Sequence, residues 1–177
     1  MTSLHEQSDR PLALSRTVLR LLVKLNIVFG VLIFALLIAT LIAGGPVMKA
    51  LGLIPTPDID RLLLAARGIM VIGILAAPVV HIIYTRLLAM VETVNDGDPF
   101  VIENAARLQT IAWAIVGLEI MHVGVVLLAN GVIVQGQEVD IGEKFSVTPW
   151  LTILLLFVLA RVFDQGARMR DELAATV

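Results

Sequence analysis

Four stretches of this chain stay apolar for about the width of a membrane, with short polar segments between them. They are 25–43, 62–84, 111–129 and 147–163, each near the roughly 17–25 residues that a helix needs to cross a hydrocarbon core about 30 Å thick. The pattern predicts an all-α integral membrane four-helix bundle, folded as one domain over 1–177. The first stretch has the position of a signal peptide, but its apolar run is too long for one. Leu41 also stands where a small residue would have to precede a cut after Ala43, so the helix reads as retained. The second contains Pro78, which removes a backbone donor and can kink a membrane helix, while Gly68 and Gly73 permit close packing. The fourth is the shortest and fits if Arg161 snorkels to the interface.

The polar breaks carry turn chemistry. Gly44-Gly-Pro and Pro55-Thr-Pro are expected to end the first helix and start the second, with Asp58 or Asp60 as N-cap. Val132-Ile-Val and Val139-Asp-Ile flank Gln135-Gly-Gln, the pattern of a short β-hairpin in the loop before the fourth span. Between the second and third spans lies NDGDPFVIENAAR, residues 95–107, within a polar loop taken as 86–107. Asp98 followed by Pro99 predicts a helix starting at Pro99, because Asp accepts from orphan amides and Pro at the first position loses no hydrogen bond. Phe100, Asn104, Arg107 or Leu108 and Ile111 would then share one flank. The tail 164–177 continues the fourth helix, with Gly166 expected to interrupt it. Val162, Phe163, Met169 and Leu173 would form an apolar stripe opposite Arg168, Arg170, Asp171 and Glu172.

Composition supports the membrane reading. Of the 177 residues 58% are hydrophobic and 16% charged, with a mean hydropathy of +0.94, against roughly 45–50% apolar in soluble domains. A net charge of -2 and scattered cations argue against direct nucleic-acid binding. The absence of cysteine excludes thiolate metal sites and a cysteine nucleophile. Of the 13 Lys and Arg, Arg10, Arg16, Arg20, Lys24, Arg86, Arg107, Arg161, Arg168 and Arg170 fall on one side of the spans, and Lys49, Arg61, Arg67 and Lys144 on the other. Basic residues near span ends stay cytoplasmic. Both termini and the NDGDPF loop are therefore expected in the cytoplasm.

Within the spans, Glu119 and His122 lie three residues apart on one helix face. A charge at that depth needs a partner, and Arg67 is the natural one; the three are expected to form a buried polar cluster. Glu-x-x-His also occurs in carboxylate-bridged metal bundles. Here it occurs once, with no further intramembrane acid, so no metal or cofactor is expected. Arg20-Leu21 precedes Gly30 by the interval at which Arg107-Leu108 precedes Gly117, a hint of two repeated helical hairpins that the other two spans do not continue.

The order Gly97-x-Pro99-Phe100, Asn104, Arg107-Leu108, then a tail of Phe163-x-x-Gly166-x-x-x-Arg170-Asp171 ending Thr176-Val177, resembles the bacterial domain-of-unknown-function family numbered 2975 across nearly the whole chain. The resemblance implies a small inner-membrane protein without assigned activity, often encoded beside a small helix-turn-helix regulator. At the start of the third span it leads one to expect Arg-Leu-Arg-x-Ile-Gly; this chain has Arg107-Leu-Gln-Thr-Ile-Ala112.

No catalytic triad, phosphate loop or carboxylate pair is visible, and no enzyme is expected. The expected function is docking of a soluble cytoplasmic partner, such as a small helix-turn-helix regulator, on Pro99, Phe100, Asn104, Arg107, Gly166, Arg168 and Asp171. The alternative is a small transporter or channel component that uses Glu119 and His122. Gly68, Gly73, Gly117 and Gly124 would pack helices within one chain or between copies in a homo-oligomer.

Overall fold

A computed structural model describes residues 3–50, 59–130 and 146–175. Among them are five helices: α1 (Ser3–Ile42), the short α2 (Gly44–Ala50), α3 (Ile59–Asn95), α4 (Ile102–Asn130) and α5 (Thr148–Ala174). All but α2 are long and apolar enough to cross a membrane. The architecture is the all-α membrane fold that the sequence pattern predicts. The hairpin predicted around Gln135, together with Pro55 and Asp58, lies outside the described residues. Asp60 sits inside the first turn of α3. The Gly44-Gly-Pro signal does end α1, but a short helix follows it directly.

Each long helix packs on its sequence neighbour, α1 on α3, α3 on α4 and α4 on α5, while α1 and α5 do not pack along each other. The bundle is therefore open, and most large apolar side chains face outward, among them Phe29, Leu32, Trp113, Leu127, Leu151 and Leu155. The chain exposes 12400 Å², where a soluble protein of this mass would expose roughly 8,400 Å². Exposed apolar side chains of the kind that lipid covers contribute to that surplus.

Small residues draw the helices together. A side chain at Gly68 would meet Leu128, and one at Gly124 would meet Ile72. The two antiparallel helices thus exchange a knob and a hole one turn apart in each direction. Gly30 of α1 likewise sits against Ala77, and Gly73 against Ile33. Gly117 has open space where Gly30 has a neighbour, so the proposed repeat does not extend to equivalent packing. On α4, Ala105 and Ala112 are buried, as are Ile153, Ala160 and Ala167 on α5. These seven-residue intervals keep the buried positions on one face of each helix, and the alanines among them are small enough to let helices approach closely. Ala112, fully buried, occupies the position where the resemblance led one to expect glycine.

Polar groups tie the α1–α3 seam. Asn26 Nδ2 donates to the carbonyl of Ala77 at 2.8 Å, just before Pro78, around which the helix continues. Gly68→Leu is expected to cost about 1–3 kcal/mol by overpacking the α3–α4 seam. Gly68→Ala should cost less, since the nearest atom to a new Cβ is the flexible tip of Leu128 at 2.8 Å. Thermal unfolding in detergent checks this, and equal midpoints for Gly68→Leu and the parent would refute the seam.

Candidate functional site

The helices are longer than a membrane is thick. At about 1.5 Å per residue, α1 spans about 60 Å and α3 about 55 Å, against about 30 Å of hydrocarbon. The surplus gathers at the end that carries the α3–α4 turn, because the start of α1, the end of α3, the start of α4 and the end of α5 all lie there. Arg16 and Arg20 of α1 reach Glu92 of α3 at 3.4 and 3.7 Å. Both pairs are half-exposed and contribute little.

The turn itself is built by glycine. Gly97 adopts φ +84°, a left-handed conformation that costs glycine nothing. Its N–H donates to the carbonyl of Val94 at 3.1 Å, and that of Asp98 to the carbonyl of Thr93 at 3.0 Å. This pair of reversed bonds is a Schellman closure of α3. The backbone of Asp98 is thereby spent on ending one helix, and α4 begins at Ile102, three residues later than the Asp-Pro signal predicts. Asp98 does not cap α4. Its carboxylate instead accepts from Arg170 of α5, and that hydrogen bond raises the guanidinium pKa above its ordinary value.

Asn104, in the first turn of α4, is completely buried. Its Nδ2 donates to Thr93 Oγ1 at 2.8 Å and to the carbonyl of Pro99 at 2.9 Å. Its Oδ1 accepts from Arg107 Nη1 at 2.7 Å, and the same guanidinium nitrogen reaches the carbonyl of Ala89 at 3.3 Å. One amide therefore binds the end of α3, the turn and α4 into a single unit. Asn104 was expected on a docking flank beside Phe100 and Arg107. The structure turns it inward, with Ala105, Leu108 and Ile111, and it cannot touch a partner.

Phe100 leaves the turn in the other direction and lies on α5. Its ring centroid is 5.3 Å from that of Phe163, tilted by 39°. A Cβ on Gly166 would stand 2.9 Å from Phe100 Cδ1. Gly166 does not interrupt α5, which runs unbroken through it; its missing side chain is the notch that seats the ring. Phe163 accordingly faces inward, leaving Val162, Met169 and Leu173 as the exposed apolar positions of the predicted stripe. Arg168 pairs along α5 with Asp164 at 3.3 Å, and Asp171 with its neighbour Arg170 at 3.3 Å.

The structure thus brings Pro99, Phe100, Asn104, Arg107 and Gly166 into one clasp, with Arg168 and Asp171 on the helix beside it. Sequence reasoning missed Thr93, Asp98 as an ion-pair partner, and Phe163 as the ring under Phe100. The spacing of Thr93 four residues before Gly97 was the available signal for a side chain closing the turn.

The intramembrane cluster is split. Arg67 does not turn to Glu119: it donates to the carbonyl of Thr40, one of the last carbonyls of α1, and lies against Gly44. Those carbonyls have no partner within their own helix and carry its negative dipole end, so a cation arriving from α3 caps them. Glu119 and His122 remain together, Oε2 to Nδ1 at 3.9 Å, and line a cavity of about 520 Å³ between α4 and the start of α5.

A family model described as protein of unknown function (DUF2975) matches residues 43–177. Neither the curated proteins nor the solved structures contain a match.

Proposed function

We propose, for a chain that belongs to the DUF2975 family of proteins of unknown function, that the helical platform around the clasp docks a soluble cytoplasmic protein at a bacterial inner membrane. One observation carries the reading. Outside the most apolar windows, 111–129 and 147–163, Phe100, Ile102, Met169 and Leu173 are exposed. Next to them in sequence, Glu103, Arg168, Asp171 and Glu172 are exposed as well. An apolar patch with a charged rim is the anatomy of a protein-binding surface. Phe100 supports it best: the ring is anchored on Gly166 and Phe163 yet 43% exposed, a preorganised aromatic of the type that dominates interfaces.

The excess of cations at this end supports a cytoplasmic orientation for it. The partner class that the sequence resemblance implies is a small helix-turn-helix regulator, which the membrane protein would hold away from DNA. Docking is by packing and needs no bond chemistry. Photocrosslinkers at Ile102 and Met169, with a control at lipid-facing Leu32, test this in living cells. A helix-turn-helix protein crosslinked from both platform positions and absent from the control is the expected result. Crosslinks to lipid alone, or to other copies of this chain alone, would overturn it.

A further inference from the structure

We infer that the outer face of the α4–α5 pair, where the two apolar runs end near Arg161, holds the headgroup of an anionic phospholipid. Trp113 fixes the level. Its indole packs edge-on against Phe157 with ring centroids 5.5 Å apart. It remains 65% exposed, at the very start of the apolar run 111–129. An exposed tryptophan at the end of such a run marks the boundary between hydrocarbon and headgroups, where a side chain with apolar faces and a polar N–H is at home on both sides. From this pair α4 and α5 run antiparallel, so four residues back along α4 and four forward along α5 both move one turn, about 6 Å, toward the cation-rich end and stay on the same stripe. Those steps reach Gln109 and Arg161, both exposed. The aromatic pair and the polar pair thus stand one beyond the other, as an acyl chain and its headgroup do.

Charge selects the ligand. Arg161 Nη1 lies 3.9 Å from Asp164 Oδ2, and Arg168 Nη2 lies 3.3 Å from the same oxygen. One carboxylate therefore faces two guanidiniums. The Arg161 side chain is 74% exposed and that of Asp164 17%, so the cation, more than the acid, meets the surroundings. A guanidinium offers a planar fork of donors that matches phosphate bidentately, and basic sites between spanning helices suit anionic headgroups. A zwitterionic headgroup brings an ammonium to the same arginines and forfeits in repulsion part of what its phosphate gains. Gln109 and Arg161 take no part in the docking platform, so this site stands apart from it.

Trp113 is its own reporter. In Trp150→Phe it is the sole indole of the chain, and the full-length protein is placed in phosphatidylcholine nanodiscs containing a fraction of acyl-brominated phosphatidylglycerol or acyl-brominated phosphatidylcholine. The phosphatidylglycerol is expected to quench Trp113 as if enriched about fivefold beside it, the factor that one basic residue contributes near anionic lipid. Arg161→Gln should bring the enrichment below about twofold, and Gln109→Arg, which adds a cation on the same stripe, should raise it about fivefold further. Equal quenching by the two lipids before Arg161 is changed would overturn the site, as would enrichment unchanged in Arg161→Gln. Inorganic phosphate and chloride at equal ionic strength separate a lipid headgroup from a soluble phosphate. Equal enrichment in both salts is expected, and selective displacement by phosphate would overturn the assignment to lipid. Should Trp150→Phe not fold, the same titration on the parent, less that of Trp113→Phe, isolates the Trp113 signal and decides by the same criteria.

Discussion

Asn104→Leu is expected to lower stability by about 2–4 kcal/mol, the largest loss from any single substitution at the clasp. Leucine has the same branched skeleton and is the bulkier residue, so none of the effect is a cavity. What changes is hydrogen bonding. The Pro99 carbonyl loses its donor at 2.9 Å, and Arg107 loses the acceptor at 2.7 Å, leaving its longer bond to Ala89. Each polar group left unmatched in a buried site costs about 1–3 kcal/mol. Thr93 is spared, since its hydroxyl still donates to the carbonyl of Met90 at 2.8 Å. Asn104→Asp should fall between the two, keeping an acceptor for Arg107 while setting a carboxylate against the Pro99 carbonyl. Thermal unfolding in detergent gives the ranking, and hydrogen exchange at 93–104 locates the damage. A Leu variant within about 0.5 kcal/mol of the parent, the range of an ordinary surface change, would mean that the amide is not what holds the turn.

The fold was largely legible because lipid imposes a strict length and polarity on each helix, and the four apolar runs meet it. What the pattern could not reveal was where helices stop once they leave the membrane. Apolarity ends near Tyr84, yet α3 continues to Asn95, because Glu92, Thr93 and the glycine closure give the last turns tertiary partners. The Asp98-Pro99 start signal failed for a related reason. A local rule assigned Asp98 to the following helix, whereas the chain uses its N–H to close the preceding one and its carboxylate to reach Arg170, 72 residues away. No local rule contains that distance. Gly166 shows the same limit: helix-breaking is its propensity, but the reason for it here is a ring from another element.

The polar groups inside the spans show how proximity in depth misleads. Arg67 and Glu119 are at depths that allow pairing, and an acid in lipid calls for a cation. The orphan carbonyls at the end of α1 make the same demand, and Arg67 answers theirs. Gly44 completes that choice by leaving room for the guanidinium. The consequence is a division of labour along the molecule. One end is tied by hydrogen bonds into a rigid platform, and the α4–α5 side, deeper in, keeps a carboxylate free of arginine.

Gly166→Leu is expected to abolish platform crosslinking while costing about 1–3 kcal/mol by overpacking. The new side chain needs the space of the Phe100 ring, which is a flexible, partly exposed group and will yield first. In yielding it gives up the contact with Phe163, worth about 0.5–1.5 kcal/mol beyond its buried area, and the partner loses an anchored aromatic. Gly166→Ala is the more discriminating change. Alanine favours a helix over glycine by about 1 kcal/mol, but its Cβ would lie 2.9 Å from Phe100 Cδ1, so the gain and the displacement oppose each other. With Phe100→Ala as background the obstruction is gone and the helical gain should appear in full. The double variant is therefore expected to be more stable than Phe100→Ala by about 1 kcal/mol, while Gly166→Ala alone gains less than that over the parent. Strict additivity in this cycle, with no coupling above about 0.5 kcal/mol, would show that ring and notch are independent and would remove Gly166 from the docking surface.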